Sequence, residues 1–333
     1  MKAFIIEKYN KKIDLKLAEV PIPAFADDEV LVEVYAAGLN LLDSKIKTGE
    51  FKLLLPYKLP LILGHDVAGV IIKVGKDVKK FKIGDEVYSR LSDFHIGTFA
   101  EYIAVNEKDL ALKPAKISME EAASLPLVAL TAWQALVEKA DLKAGQKVFI
   151  QAGSGGVGTI AIQLAKHFGA TVATTASEKS FEALKKLGAD VLIDYKKEDF
   201  EDILSDYDIV LNSQDKKTLE KSLRITKPGG QVISISGPPT PEFAKAIGAN
   251  WIFKAILSFL SFGIRKKAKK RSVNYSFLFM RANGEQLQKI TALVEDGEIK
   301  PVVDKIFPFS ETNDALAYVE SGRAKGKVVI KVK

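Results

Sequence analysis

Residues 147–170 read KVFIQAGSGGVGTIAIQLAKHFGA, and the fold turns on them. An apolar strand over 147–152 runs into GxGxxG, formed by Gly153, Gly155 and Gly158. A helix follows, with Val157, Ile160, Ala161, Leu164, Ala165 and Phe168 as its apolar stripe. In this spacing Gly153 is expected to permit the tight turn, Gly155 to let the backbone approach a pyrophosphate, and Gly158 to let helix and strand pack closely. The free N–H groups and positive end of the helix then face the phosphates. A lone motif of this kind also fits an ordinary glycine turn. Here a strand precedes it, a helix follows and a second strand is expected at 170–175, which favours dinucleotide binding.

Sites for NAD usually carry Asp or Glu at the end of the second strand, where the carboxylate accepts from the ribose 2′-OH. This chain has Thr174, Thr175, Ala176 and Ser177 there, then Glu178 and Lys179. A carboxylate repels a 2′-phosphate, whereas a hydroxyl and an ammonium bind it. Tyr195, at the end of the third strand, offers a second hydroxyl. Ser177, Lys179 and Tyr195 therefore point to NADPH. The alternative is NADH, with Glu178 in the acidic role and Lys179 solvated.

At 333 residues the chain has room for two domains, and 47% hydrophobic with 27% charged residues describes a globular protein. It has no cysteine, which excludes disulfides, thiolate nucleophiles and thiolate metal ligands. The opening MKAFIIEKYNKK passes from a strand-like run straight into charges, unlike a secretory signal, and leaves the cytoplasm as the expected location. The net charge of +7 is spread over alternating signs except at 265–271, RKKAKKR, so nucleic acid is not an expected partner.

Short strands are expected over 3–7, 29–37, 65–74, 86–89 and 98–105, giving an all-β-leaning module. Residues 119–142 read as helical with a break at Pro126. Beyond the glycine loop, helices at 181–187 and 216–226 alternate with strands at 191–195, 208–212 and 231–236, the pattern of a parallel sheet with right-handed crossovers. The tail adds helices at 284–296 and 311–321, an extended piece at 307–309 and a strand at 327–332. The class is α/β.

Taken together, AAGLNLLDSKIKTG (36–49), GHDVAGVI (64–71), KIGDEVY (82–88), GTFAEYI (97–103), AASLPLVALTAWQAL (122–136), AGSGGVG (152–158) and RAKGKVVI (323–330) resemble the medium-chain dehydrogenase/reductase superfamily. Within it they are similar to the zinc-independent quinone oxidoreductase branch, which includes the enone and alkenal reductases. The resemblance covers nearly the whole chain except 240–273. It implies a GroES-like, β-rich catalytic domain from 1–121 and 275–333, and a Rossmann doubly wound parallel sheet for NADPH over 122–274, with 240–273 as an insertion. It also implies a homodimer and an active site in the cleft.

Zinc-dependent relatives hold their metal with a Cys in the segment matching AAGLN, a His in GHD or GHE, and a further Cys or Asp. Here Asn40 replaces the first Cys, and His65 survives alone. No metal is expected, and His65 is expected to hydrogen-bond within the cleft wall. Alcohol oxidation needs a group to take charge from the alkoxide. Reduction of a quinone or an activated C=C is less demanding, because donors in the cleft stabilise the anion that hydride addition leaves. The implied activity is therefore an NADPH-dependent quinone or enone oxidoreductase. A zinc-free alcohol dehydrogenase, an enoyl-thioester reductase and a non-enzymatic NADPH-binding protein are the alternatives.

The family motif N-P-x-D-x-K is matched by Asn40, Leu41, Leu42, Asp43, Ser44 and Lys45, with leucine in place of proline. The resemblance implies that Asn40 supplies an amide near the nicotinamide or substrate carbonyl. It implies that Lys45 supplies a cation in the cleft that also meets the cofactor, and that Asp43 orients the loop. It further implies that Thr131 faces the nicotinamide and that Gly153, Gly155, Gly156, Val157 and Gly158 bind pyrophosphate. Ser236 and Gly237 would lie beside the nicotinamide, and Lys325 and Lys327 would either reach cofactor phosphate or stand as solvated lysines. VLNSQD (210–215) departs from the related D-x-x-G-G pattern, which leaves Asn212 without an assigned role.

The stretch outside the resemblance contains NWIFKAILSFLSFGIRKKAKKR (250–271), in which Asn250, Lys254, Ser258, Ser261 and Arg265 recur every three or four positions among apolar residues. An amphipathic helix with a wide apolar face and a basic end is expected. Its apolar run is too short for a membrane span of roughly 20 residues. Three roles remain open for it: a wall over the cleft or dimer interface, peripheral membrane contact through 250–271, or docking to a protein partner.

Overall fold

The computed structural model describes residues 1–52 and 54–333. Among them, eight strands come first: β1 (Lys2–Ile6), β2 (Lys16–Glu19), β3 (Glu29–Leu39), β4 (Leu61–Ile62), β5 (Asp66–Val74), β6 (Glu86–Arg90), β7 (Tyr102–Asn106) and β8 (Leu110–Leu112). Six more follow as β9 (Lys147–Ile150), β10 (Thr171–Ala176), β11 (Val191–Asp194), β12 (Tyr207–Asn212), β13 (Thr226–Ser234) and β14 (Asn274–Phe277). Two close the chain, β15 (Val303–Pro308) and β16 (Lys327–Lys331). The residues divide into two compact units, 1–130 with 281–333, and 131–280.

The first unit is strand-rich. A sheet of order β15-β16-β3-β5-β6-β8, with β7 also on β3, lies alongside a three-stranded sheet of order β2-β1-β4. Alternation in β3 turns Val30, Val32 and Val34 toward Val67, Ile71, Val87 and Val105, which together form a buried core. β16 from the chain end pairs with β3 from the chain start, so both ends of the sequence share one sheet. The sequence reading missed one helix here, Leu41–Thr48. Asn40 is its N-cap and Asp43 its third residue, a reciprocal capping box.

The second unit is a six-stranded sheet of order β11-β10-β9-β12-β13-β14, parallel throughout. Val148, Phe149 and Ile150 of β9 are fully buried, as expected of a strand covered on both faces. The order reverses beside β9, between β10 and β12, which is where an open parallel sheet binds ligands. The helix Trp251–Lys270 packs on this unit through Ile264 and Ala268, which join the core around Phe149, Val210 and Val232. None of the helices among the described residues is long and apolar enough to cross a membrane.

Candidate functional site

The glycine loop joins β9 to the helix Gly156–His167, whose N-cap is Gly155. Gly155 makes no side-chain cap, and the first turn carries no acid. The N–H groups that open any helix lack partners within it. Among the described residues no side chain caps them, so the end is open to an anion. The residues fit a bound pyrophosphate on a second count. A Cβ at Gly155 would meet only Ala152 O, at 3.4 Å, whereas Gly158 is closed in by Ala152 O at 2.5 Å and Gly153 Cα at 2.6 Å. Gly158 thus allows the close packing that its place in the motif predicts. For Gly153 the structure corrects the reading. The left-handed residue of the turn is Ala152, at φ 51°. Gly153 is required because Thr174 Oγ1 would stand 2.2 Å from its Cβ.

At the far end of this surface, Ala176 of β10 pairs with Asp194 of β11, so Ser177 and Tyr195 leave neighbouring strands at the same level. Ser177 is half-buried, Lys179 exposed, and Tyr195 61% exposed. Glu178, the acid that would favour NADH, is bound by Lys197 at 2.6 Å. Its carboxylate holds the Lys197 ammonium above the usual lysine range. Lys197 was missed in the sequence because the two residues meet only through strand pairing.

Along the carboxyl ends of β9, β12 and β13 runs a buried polar line. Asn212 Nδ2 donates to Gln151 Oε1 at 2.7 Å, and Ser234 Oγ to Asn212 Oδ1 at 2.5 Å. Gln151 Nε2 continues it to Ser222 Oγ at 2.7 Å. Gly237 N donates to Ser234 Oγ at 2.7 Å, and Ser236 Oγ to Gln214 O at 2.6 Å. The residues that depart from the family pattern thus brace the turn that holds Ser236 and Gly237. Thr131 is buried in the helix Pro126–Trp133.

The strand-rich unit holds a second polar constellation. His65 Nδ1 and Asp43 Oδ1 share a hydrogen bond of 2.6 Å, both side chains fully buried. Asp43 Oδ2 accepts from Asn40 N at 2.8 Å. Asp66 Oδ2 accepts from Asn40 Nδ2 and from Lys327 Nζ, each at 3.0 Å, and its Oδ1 accepts from Leu127 N at 2.8 Å. Lys327 Nζ also donates to Asn40 Oδ1 at 2.6 Å and Leu39 O at 2.9 Å.

Two expectations change as a result. An ammonium has three donors, and all three of Lys327 are used inside the unit, so it is not free to meet a phosphate. Lys325 is exposed. The Asn40 amide is committed to Asp66 and Lys327, with a longer contact of 3.4 Å to Gly38 O, which makes Asn40 a positioning residue rather than a free donor. Lys45 is exposed while Asp43 is buried. Two residues apart on a helix lie on opposite sides, so Lys45 takes no part in the network that holds Asp43.

The donor set does not fit a zinc ion. The chain has no cysteine, Asn40 spends its amide on protein partners, and His65 engages Asp43 through one ring nitrogen. Among the described residues no three of His, Asp and Glu are grouped to hold a metal. A depression of about 420 Å³ lined by residues including Lys80, Glu107, Asn283 and Gln288 lies on the strand-rich unit, but none of its walls belongs to the polar network.

A parallel sheet with a glycine loop opening onto a helix N-terminus, in a chain that also carries a strand-rich unit built from both of its ends, defines a nucleotide-dependent oxidoreductase. Residues 26–115 match the alcohol dehydrogenase GroES-like domain, and 187–330 match the family described as zinc-binding dehydrogenase. The chain is 41% identical to a 2-methylene-furan-3-one reductase of Solanum lycopersicum, covering 99% of this chain and 79% of that protein. It is 39% identical to a chloroplastic NADPH-dependent alkenal/one oxidoreductase of Arabidopsis thaliana, with the same coverage. The quinone oxidoreductase from Coxiella burnetii superposes with a TM-score of 0.86 at 33% identity, over 100% of this chain and 99% of that one. The chain belongs to the medium-chain dehydrogenase/reductase superfamily, in its zinc-independent quinone and enone branch.

Proposed function

We propose that this protein is an NADPH-dependent reductase of quinones or of the C=C bond of α,β-unsaturated carbonyl compounds. The observation that carries the reading is a glycine loop open to an anion, followed by strand ends bearing Ser177, Lys179 and Lys197 with Glu178 already neutralised by its partner. Relatives over 99% of the chain are named for reduction of this substrate class or for NADPH, which supports it. When bound, NADPH supplies hydride to the electron-poor carbon of the acceptor.

The chain's own residues do the rest. The N–H groups of Gly156, Val157 and Gly158 bind pyrophosphate, with Gly155 leaving the approach open and Gly153 seating the turn on Thr174. Ser177, Lys179 and Tyr195, joined by Lys197, hold the 2′-phosphate. Ser236, Gly237 and Thr131 shape the nicotinamide end, and Lys45 supplies a solvent-side cation. Asn40 and Asp43 act as positioning residues, held by His65, Asp66 and Lys327, and orientation is the service the network provides. Solvent protonates the enolate or hydroquinone anion that hydride addition leaves.

The protein is further proposed to be cytoplasmic and a homodimer, the dimer being supported by β14, which forms the edge of its sheet. Light scattering that returns the monomer mass sinks that part. The decisive measurement for the activity is a steady-state screen of enones, 1,4-quinones, saturated alcohols and enoyl thioesters with NADPH, NADH and NADP+, with and without chelator. The expected result is NADPH oxidation by enones or quinones that a chelator leaves unchanged. Turnover of alcohols alone, of thioesters alone, or tight NADPH binding without turnover each replaces the reading.

A further inference from the structure

The helix Trp251–Lys270 buries one narrow side and turns most of its large apolar side chains outward. Its buried positions are Leu257, Ser261, Ile264 and Ala268. Ser261 is accommodated there because its Oγ donates to Leu257 O at 2.7 Å. Arg265 folds back along the same side, donating to Ser261 Oγ at 3.1 Å and to Ser258 O at 3.0 Å. At about 100° per residue the opposite side carries Trp251, Ile252, Ile256, Phe259, Leu260 and Phe262. These are 77%, 52%, 50%, 83%, 57% and 59% exposed. The expectation of a wide apolar face was sound, but that face does not cover the protein's own core.

So many large apolar side chains together in water mark an interaction surface. What they meet is indicated by charge. Between Asn250 and Arg271 there are seven Lys and Arg residues and no acid. Lys267 is engaged by Glu220 at 2.7 Å. Lys266, Lys269, Lys270 and Arg271 are exposed, and the first three continue the apolar side by one further turn. A second copy meeting this helix through a two-fold axis offers only the same acid-free face. An anionic lipid surface offers hydrocarbon to the aromatic half and phosphate to the cationic half.

We propose that this helix lies in the plane of a membrane bearing anionic phospholipid, with Trp251, Phe259 and Phe262 in the interface and Lys266, Lys269 and Lys270 on the headgroups. The attachment is peripheral. It does not depend on the reductase reading.

The test is co-sedimentation of the full chain with vesicles of phosphatidylcholine alone or mixed with phosphatidylglycerol, together with the emission of Trp251. The wild type is expected to sediment with the anionic vesicles, to shift its emission to the blue, and to be released by salt. At about 1 kcal/mol for each lysine near the surface, Lys266→Gln with Lys269→Gln and Lys270→Gln lowers partitioning on the order of a hundredfold. Phe259→Ser lowers it more than tenfold while the lysines remain. Trp251→Phe abolishes the blue shift but not the sedimentation. Reduction of a water-soluble enone by the lysine variant matches the wild type, which separates this proposal from the catalytic one. A wild type that stays in the supernatant with anionic vesicles overturns it. So does a dimer that Phe259→Ser dissociates in the absence of lipid binding, since the face then belongs to a second copy.

Discussion

Asp66 and Lys327, 261 residues apart, meet in the interior of the strand-rich unit, with Nζ donating to Oδ2 at 3.0 Å. Their side chains are 0% and 7% exposed. The contact brings a residue that opens β5 to one that opens β16, with Asn40 of the capping box between them.

Removing one partner leaves a buried charge unmatched. Lys327→Met or Asp66→Asn alone is expected to cost about 3–5 kcal/mol, since either loses the pair and the bonds to Asn40. The double variant is expected to cost less than the sum, because no charge is then stranded. Guanidinium unfolding of the four proteins measures the coupling, and additive losses count against an interacting pair.

The three glycines of the loop differ in what surrounds them, so their alanine variants are expected to separate. Gly158→Ala forces a Cβ against backbone at 2.5 and 2.6 Å and is expected to destabilise by about 1–3 kcal/mol or prevent folding. Gly155→Ala has room and leaves the melting temperature nearly unchanged, while weakening NADPH by blocking its approach. Thermal melts and calorimetric titration read the two effects. Equal loss of stability at both positions contradicts the packing described.

Cofactor choice is expected to follow Lys179, Lys197 and Glu178. Lys179→Ala weakens NADPH several-fold and leaves NADH unchanged, and Lys197→Ala acts the same way while also freeing the Glu178 carboxylate. Glu178→Gln removes a negative charge beside the proposed 2′-phosphate and tightens NADPH. Dissociation constants for both nucleotides check this, and parallel changes in the two remove the phosphate assignment.

Acid stability has a traceable contribution from Asp208. Burial raises this carboxyl, but the bonds from the Lys227 side chain and Lys147 N outweigh it and hold the group below the ordinary 3.8. A depressed folded-state value means that the stabilisation is complete above 3.8 and is lost as pH falls below it. Asp208→Asn is expected to be less stable than wild type at neutral pH and to lose less on acidification through that window. Urea midpoints at stepped pH decide it, and parallel curves for the two proteins exclude the contribution.

Much of the fold was legible because its signals are local. The apolar β9, the glycine spacing and the stripe through Ile160, Leu164 and Ala165 lie within one stretch of chain. The helix Leu41–Thr48 had a signal that went unread, Asn40 three residues before Asp43, because its mixed composition hides helical periodicity.

Sequence alone determined that this chain binds a dinucleotide, that it has no thiolate to offer a metal, and that residues 250–271 form a two-faced helix, since each follows from residue type and near-neighbour spacing. Tertiary structure decided which groups remain free to act. Lys327 is consumed by Asp66 and Asn40 from the other end of the chain, and Glu178 by Lys197 from the next strand. The helix turns Ser261 inward and Phe259 outward: the buried hydroxyl bonds its own backbone, and Ile264 and Ala268 on the same side join the core of the sheet. Such choices depend on what lies across the sheet, and spacing along the chain carries no record of that.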